Sequence, residues 1–317
     1  MMEDFRGGYE GLAEAVQAAW ADVDQALLYT PDFLRSMLAY PGAGPRLAPT
    51  LYDGETPVGF AAGLPRPAEC GGRPLSVVVG SFFSVSPTRR GEGIAFDLMA
   101  ALIERARAEG HDATLLYCAD GGAMNGVVQR CTDAMAVPTA RVQSVRFISR
   151  ILLPRKGEDG GEADDPMLAP ALADLAARAP KADLRRRWTV EEADWQVNRR
   201  EGALAVRLAR GPRQGVLAGY VQQVAEGDRP LCLFIDDILW GDLEAGERKE
   251  LVAAFIAKAR LRGARLAVAP QTGWADLTPF AEAHFKPSAR VLHAYLSSWN
   301  SDVRPESNLG SMYMDVF

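Results

Sequence analysis

The feature that most constrains the fold is an internal repeat, because the same order of predicted elements occurs in both halves of the 317-residue chain. Each half contains a hairpin, a buried strand, a long helix, another strand, a short helix and a final strand. The hairpins turn at Asp53-Gly54 and at Gly211-Pro212. At the start of the final strand, "VPTARV" from Val137 corresponds to "KPSARV" from Lys286. The repeat predicts an α/β (α+β) protein with two tandem domains.

The domain boundary is predicted where the composition changes. The stretch "PRKGEDGGEADDPMLAP", which begins at Pro154, is rich in glycine, proline and acidic residues and contains little to bury. We therefore predict an N-terminal domain at 1–154, a linker at 155–169 and a C-terminal domain at 170–317. The first domain is expected to open with a helix from about Tyr9 to Leu28. The apolar tail is expected to dock on the protein as an added strand.

Composition argues against several classes of function. The net charge is −6, which indicates no basic surface for nucleic acid. The four cysteines are widely spaced without CxxC pairs, and only three histidines are present, so a metal site or a disulfide framework is not expected. No signal peptide or membrane span is apparent. These features predict a cytoplasmic protein that binds no nucleic acid, membrane or metal, and they leave its oligomeric state open.

The turn before the long helix of the first half carries most of the chemistry. In "VSPTRRGEGIAFD", which begins at Val85, two arginines and two glycines lie between a buried strand and the start of the helix. The first N–H groups of a helix have no partner within it and point at one spot, at the positive end of the helix dipole. Gly91 and Gly93 allow close approach, and Arg89 and Arg90 add donors, so a pyrophosphate fits there. A flexible, solvated loop is the alternative interpretation.

This turn resembles motif A of the GNAT superfamily of acyl-CoA-dependent N-acyltransferases, whose signature Arg/Gln-x-x-Gly-x-Gly/Ala is filled here by Arg90, Gly93 and Ala95. The resemblance implies tandem GNAT domains, each a mixed, mostly antiparallel sheet flanked by helices, with acetyl-CoA or another acyl-CoA as cofactor. It also implies that the strand before the turn diverges from its neighbour, so that its backbone contacts pantetheine and polarises the acyl carbonyl. The coenzyme-binding residues that it implies are Phe83, Ser84, Val85, Arg89, Arg90, Gly91, Glu92, Gly93, Ile94, Ala95 and Asn125.

The catalytic residues are less clearly marked. The family often uses a tyrosine to protonate the departing thiolate, and the repeat alignment places Cys131 at that position. Cys131 is either a proton donor or a small buried apolar residue. Some tandem members use a chain-terminal carboxylate as the base, a role open to Phe317.

Asp236 and Asp237 interrupt an apolar strand of the second copy. Because adjacent strand residues face opposite sides of a sheet, one of the two is expected to point inward. An inward carboxylate would be a catalytic base or a site for a substrate ammonium group, or else one member of a structural ion pair.

The resemblance implies an N-acyltransferase that moves an acetyl group from acetyl-CoA to a primary amine by direct attack in a ternary complex. The acceptor is a small molecule or a peptide amine. The second copy lacks the arginine–glycine turn, which predicts one coenzyme per chain and a second copy that shapes the acceptor site. Two alternatives remain open: a non-catalytic acyl-CoA sensor or scaffold, and a tandem GNAT-fold aminoacyl or long-chain acyl transferase.

Overall fold

The computed structural model describes residues 2–22, 27–154, 165–224 and 230–316. The chain divides into two compact units. Unit 1 comprises Met1–Val145, Asp183–Arg186 and Arg290–Gly310. Unit 2 comprises Arg146–Ala182, Arg187–Ala289 and Ser311–Phe317. Most of the predicted linker lies outside the described residues.

The strands follow the predicted order in both halves of the chain. The first half contains β1 (Glu3–Asp4), β2 (Pro49–Asp53), β3 (Thr56–Cys70), β4 (Arg73–Val85), β5 (Ala113–Ala119) and β6 (Thr139–Ile151). The second half contains β7 (Leu184–Arg186), β8 (Ala203–Arg210), β9 (Arg213–Gln223), β10 (Leu231–Leu239), β11 (Ala264–Gln271), β12 (Lys286–Ser298) and β13 (Met312–Tyr313).

The helices also follow the predicted order, with additions in each half. They are α1 (Tyr9–Ala19), α2 (Pro31–Leu38), α3 (Ile94–Ala108), α4 (Met124–Ala134), α5 (Leu168–Arg178), α6 (Val190–Asp194), α7 (Ala245–Leu261) and α8 (Thr278–Glu282). A short π-helical turn follows α6. No described helix is long and apolar enough to cross a membrane.

The opening helix is shorter than expected, and a second helix follows it. α1 ends at Ala19, so the predicted extension to Leu28 is wrong. The new helix α2 starts at a strong signal, because the Thr30 hydroxyl accepts a hydrogen bond from the Phe33 N–H (3.1 Å) and Pro31 occupies the first turn. The first half therefore contains two short helices, α1 inside the predicted span and α2 after it.

The two copies exchange their final strands. In unit 1, residues 292–298 of β12 pair antiparallel with residues 113–119 of β5. In unit 2, residues 146–151 of β6 pair antiparallel with residues 266–271 of β11. The two exchanged strands begin with the matching sequences "VPTARV" and "KPSARV", so either is chemically suited to either position. The two compact units therefore have different bounds from the contiguous domains predicted at 1–154 and 170–317. Those domains remain a prediction from the sequence repeat.

Helix α3 packs closely on the sheet of unit 1, and this contact fixes where the helix begins. Ile94, Leu98 and Leu102 are buried on its inner face. Gly59 of β3 lies beneath the first of them, and a Cβ atom there would approach Ile94 Cγ2 to 2.7 Å. The absence of a side chain at position 59 thus lets the start of α3 lie directly against β3.

Candidate active site

The end of strand β4 separates from β5, as the sequence analysis expected. The two strands pair in parallel from Val77 to Gly80 of β4, where Gly80 is opposite Leu116. Beyond that pair, β4 stays bonded to β3 as far as Val85, while β5 continues to Ala119 alongside β12. The two strands therefore diverge beyond Gly80, and the prediction of a splayed strand is confirmed.

A bulge in β4 lies at this divergence. Phe60 and Ala62 of β3 pair with Ser84 and Ser81 of β4, so one residue of β3 faces two of β4. One of the extra residues, Phe82, has φ 58°, a left-handed conformation that is uncommon outside glycine. The bulge re-aims the backbone of residues 82–83 at the point where the strands part.

The side chains of the bulge lie in different environments. The Phe82 ring makes edge contacts with Tyr29 and Phe33, with ring centroids 6.0 and 6.2 Å apart. Phe83 packs against the buried cluster of α3 and α4. The Ser84 hydroxyl accepts a hydrogen bond from the Trp20 indole N–H (3.0 Å). The side chains of residues 82–84 are therefore all used in contacts within unit 1.

The turn before α3 forms an open cradle of backbone N–H groups. Gly91 and Gly93 have φ 89° and 83°, and a Cβ atom at either position would meet nothing within 4 Å. Gly93 caps α3 without any side-chain hydrogen bond. Among the described residues, no acceptor is bonded to the N–H groups of residues 91–95. Unbonded N–H groups at the positive end of a 15-residue helix form a site for an anion.

Both arginines of the turn are held by carboxylates. Arg89 Nε donates to both carboxylate oxygens of Glu92 at 2.7 Å, and this pair lowers the pKa of Glu92. Arg90 donates to Asp22 (3.1 Å) and to the carbonyl oxygen of Ala19 at the end of α1 (2.8 Å). All four side chains are substantially exposed, so these pairs contribute little to stability and can rearrange around a bound anion.

The start of α4 places Asn125 beside a tyrosine from β12. The Asn125 amide donates to the carbonyl oxygens of Ala119 (2.7 Å) and Gly122 (2.8 Å), which fixes its orientation. Its Oδ1 then accepts a hydrogen bond from the Tyr295 hydroxyl (3.0 Å). Burial raises the pKa of Tyr295, with a smaller opposing effect from Arg141.

Cys131 is fully buried in the same apolar cluster as Phe83 and Tyr295. Burial raises the pKa of its thiol to about 11. The thiol lies 3.8 Å from the carbonyl oxygen of Phe96 and 3.7 Å from Met135 Sδ, both weak hydrogen-bond acceptors at these distances. These surroundings match the interpretation of Cys131 as a small apolar residue rather than a proton donor.

Sequence comparison identifies the fold of this site. A sequence model of the Acetyltransferase (GNAT) family matches residues 10–125, which span α1 to the start of α4 and include the cradle. This part of the chain is similar in sequence to the GNAT family. No curated protein matches the sequence significantly.

Solved structures show a likeness in fold over nearly the whole chain. A Saccharomyces cerevisiae N-myristoyltransferase with bound myristoyl-CoA is similar over 97% of this chain and 84% of its own, with a TM-score of 0.71 and 13% sequence identity. A GCN5-related N-acetyltransferase from Anabaena variabilis is similar over 93% and 72%, with a TM-score of 0.57 and 13% identity. Another from Kribbella flavida has 18% identity and a TM-score of 0.52 over 93% and 70% of the two chains. At these identities the likeness establishes the fold.

The second copy closes its helix start with carboxylates. Glu244, the N-cap of α7, accepts a hydrogen bond from a backbone N–H of the first turn, and Glu247 accepts one from the Glu244 N–H (2.8 Å). Arg213 pairs with both side chains. Two carboxylates thus lie where the first copy presents uncapped N–H groups, and they disfavour a phosphate at this end of α7.

The C-terminal tail bridges the corresponding divergence in the second copy. β10 and β11 pair only as far as Phe234 and Val268. The tail crosses there: the Met312 N–H donates to the Thr272 carbonyl oxygen (2.9 Å), and Tyr313 Oη donates to Asp237 Oδ1 (2.6 Å). The expected docking of the tail is confirmed, since both tail residues are buried. Phe317, whose carboxylate is a candidate base, lies outside the described residues.

The Tyr313 side chain is held on both sides. Its ring stacks on Trp274 with centroids 4.1 Å apart and planes 11° from parallel. Its hydroxyl accepts a hydrogen bond from the Trp188 indole N–H (2.8 Å). The tail is therefore an integral part of unit 2 rather than a loose end.

Asp236 and Asp237 both have buried carboxylates, so the expectation that only one of them points inward is wrong. A bulge in β10 accounts for this, because Asp236 is left without a partner on β9 between two paired residues. The bulge turns both carboxylates toward Gln196, whose amide donates to Asp236 at 3.1 Å and to Asp237 at 2.9 Å. The two adjacent side chains do not face opposite sides of the sheet here, because the bulge interrupts the two-residue period of the strand.

Asp236 forms a buried ion pair with Arg200. Their side chains are both 2% exposed, with Arg200 Nη1 at 2.5 Å from Asp236 Oδ2. The guanidinium also lies 3.5 Å from the centroid of the Tyr220 ring. Burial raises the pKa of Asp236, and Arg200 partly offsets this effect. The arrangement matches the structural ion pair, which was one of the two roles predicted from the sequence for this carboxylate.

Neither Tyr295 nor the neighbouring His293 was predicted from the sequence as a site residue. His293 Nε2 lies 3.0 Å from Asp120 Oδ1, and its Nδ1 lies 3.0 Å from the Ser144 hydroxyl. His293 on β12, Ser144 on β6 and Asp120 in the turn after β5 meet only because β12 enters unit 1. No signal in the sequence marks this meeting, because the matching starts of the two final strands leave their partners undecided.

Proposed function

We propose that this protein is an N-acyltransferase that binds acyl-CoA at the start of α3 and transfers its acyl group, acetyl in the simplest case, to a primary amine. The uncapped, glycine-lined start of α3 beside the divergence of β4 and β5 carries the proposal. Backbone N–H groups of residues 91–95 would bind the pyrophosphate, and the bulged backbone near Phe83 would lie along the pantetheine. The chain's family and the fold of its solved neighbours are consistent with this use of the site.

The chemistry requires little from side chains at the coenzyme. A bound amine attacks the thioester carbonyl, and a backbone N–H at the bulge can stabilise the negative charge that develops on the carbonyl oxygen. The strand before the cradle contains no acidic residue, so the proton of the amine would leave through ordered water or through a group outside β4. The described site therefore provides binding, orientation and charge stabilisation.

We expect one acyl-CoA per chain, because the two copies differ at the position of the pyrophosphate. The first copy presents uncapped N–H groups, whereas Glu244 and Glu247 occupy the equivalent helix start in the second. The tail also spans the second divergence, where pantetheine would have to enter. Isothermal titration with acetyl-CoA should therefore give a stoichiometry close to one, and two equal sites would contradict the proposed assignment.

A separate measurement distinguishes an enzyme from a binding protein. Purified protein is incubated with acetyl-CoA and a panel of primary amines and peptide N-termini, and release of free thiol is followed. Amine-dependent thiol release is the expected result. Stoichiometric binding without thiol release from any amine, for acetyl-CoA and for longer acyl-CoAs, would instead support the non-catalytic sensor. Mass spectrometry of ligand carried through purification would then identify the acyl chain.

A further inference from the structure

We propose that Ser144 is an activated nucleophile that takes up the acyl group of esters with a good leaving group, with His293 as its general base. The cluster lies in unit 1 and includes Asp120, and the proposed acyltransferase chemistry uses none of the three side chains. His293 Nδ1 lies 3.0 Å from the Ser144 hydroxyl, and its Nε2 lies 3.0 Å from Asp120 Oδ1. A nucleophile, a base within hydrogen-bond reach of it and a group that orients the base are the three parts of a serine nucleophile site.

The carboxylate of Asp120 determines which nitrogen of the His293 ring carries the proton. An ionised carboxylate only accepts hydrogen bonds, so the N–H of the neutral ring lies at Nε2. Nδ1 then carries a lone pair and accepts a hydrogen bond from the Ser144 hydroxyl. This tautomer places a base, rather than a second donor, against the nucleophile.

Backbone pairing holds the three residues in place. His293 is paired with Cys118 of β5. Just beyond that strand, the Asp120 N–H donates to the Val291 carbonyl oxygen of β12 (3.1 Å). Ser144 belongs to the regular part of β6. Side chains supported by strands are held more precisely than side chains on loops, so the distances within the cluster are set by the sheet.

The nucleophile is open to solvent, whereas the base is enclosed. Ser144 is exposed, and the His293 side chain is only 12% exposed. Enclosure limits the movement of the ring, and exposure of the hydroxyl lets a small ester approach it. The Asp120 side chain is 69% exposed, so its contact with His293 contributes little to the stability of the fold. The arrangement therefore suits a reaction at the hydroxyl better than a purely structural role.

A second Ser–His pair in the same unit lacks the orienting carboxylate. His111 Nδ1 lies 2.8 Å from the Ser76 hydroxyl, which is half-buried. Nothing in the described parts of the chain accepts a hydrogen bond from His111 Nε2, so no contact fixes the proton on that nitrogen. We therefore expect Ser144 to be the more reactive of the two serines, and the Ser76 pair provides a comparison within the same protein.

The reaction balances with water as the only other reactant. Ser144 Oγ forms a bond to the carbonyl carbon of an aryl ester, and its proton moves to His293 Nδ1. The C–O bond to the aryl group breaks, and the phenol leaves with the bonding electron pair and the proton from His293. Water then attacks the acyl-serine with His293 again as base, which releases a carboxylic acid and restores the hydroxyl. A positioned base contributes about 10²–10⁴-fold, so esters whose leaving group departs easily are the expected substrate class.

The test uses a fluorophosphonate probe, which labels activated serines with loss of fluoride, and 4-nitrophenyl acetate as the ester. We expect mass spectrometry of peptides to find the probe, and separately an acetyl group, on Ser144. His293→Gln keeps the nucleophile but removes the base, and it should slow labelling about 100-fold. Asp120→Asn should slow labelling at least about tenfold, because it no longer requires the ring proton to lie at Nε2.

Two serine variants serve as controls. Ser144→Ala should lose the label altogether. Ser76→Ala removes the serine of the pair without a carboxylate and should leave labelling of Ser144 at the wild-type rate. Circular dichroism and thermal melting establish that each variant is folded.

Wild type alone is enough to overturn the proposal. If Ser144 is labelled no faster than Ser76 in the same sample, its hydroxyl is not activated. Labelling of Ser144 in His293→Gln as fast as in wild type would equally rule out His293 as the base. Neither assay contains coenzyme, so the results hold whether or not the protein transfers acyl groups from acyl-CoA to amines, and titration with acetyl-CoA tests that function separately.

Discussion

Replacing Gly93 with Asp is expected to weaken acyl-CoA binding about 1,000-fold, which corresponds to about 4 kcal/mol. The new carboxylate would lie against the uncapped N–H groups at the start of α3 and accept hydrogen bonds from them, as Glu244 does at the start of α7. It would also put a negative charge where the pyrophosphate is expected to bind. The measurement is the dissociation constant for acetyl-CoA from isothermal titration.

The variant should fold, so that a loss of binding reports on the cradle. A Cβ atom at position 93 meets nothing within 4 Å. The φ of 83° costs a non-glycine residue about 1–2 kcal/mol, and Asp and Asn tolerate it better than most. A favourable cap offsets part of this cost.

Two matched substitutions separate charge from shape. Gly93→Asn has nearly the same shape without the charge and should weaken binding roughly tenfold, through the lost N–H groups alone. Gly211→Asp adds the same charge at another positive-φ glycine with open surroundings, in the turn between β8 and β9, and should leave binding unchanged. If Gly93→Asp binds acetyl-CoA as wild type does, the coenzyme does not lie at the start of α3.

The sequence predicts the elements of the fold well and their partners poorly. Hydrophobic period and turn residues are local properties, so the hairpins at Gly54 and Gly211 and the helices α3 and α7 are found where expected. Which strand pairs with which depends on contacts between distant residues. The exchange of β6 and β12 could not be read from the sequence, because the two strands begin with nearly the same residues and each satisfies either position.

The cradle was predictable because its physical basis is local. Two glycines, a helix start and the absence of a capping side chain all lie within a few residues of Gly93. Tyr295 was not predictable for the opposite reason, since it reaches Asn125 from a strand 170 positions away. The error at Asp236 and Asp237 had a third origin, because a bulge depends on the pairing of β9 and β10 and leaves no clear mark in the sequence.

Breaking the buried ion pair between Arg200 and Asp236 is expected to have a large effect on stability. Arg200→Met is expected to lower the free energy of unfolding by about 3–5 kcal/mol, because it leaves a buried carboxylate without its cationic partner. Both side chains are 2% exposed, so solvent cannot replace the lost interaction. Chemical denaturation measures the change. The double variant Arg200→Met with Asp236→Asn removes both charges and should recover at least half of the loss.

The same variants decide between a structural and a catalytic role for Asp236. If the carboxylate only balances Arg200, the folded double variant should release thiol at close to the wild-type rate at saturating acyl-CoA and amine. If the carboxylate is the base that accepts the amine proton, the double variant should be stable but slow, with a loss of about 100-fold or more. The buried pairing of Asp236 with Arg200 and Gln196 favours the first result, because a carboxylate enclosed in this way has no open approach for an amine. A stable, slow double variant would instead show that Asp236 is a catalytic residue. The tail that covers β10 would then have to move during the reaction.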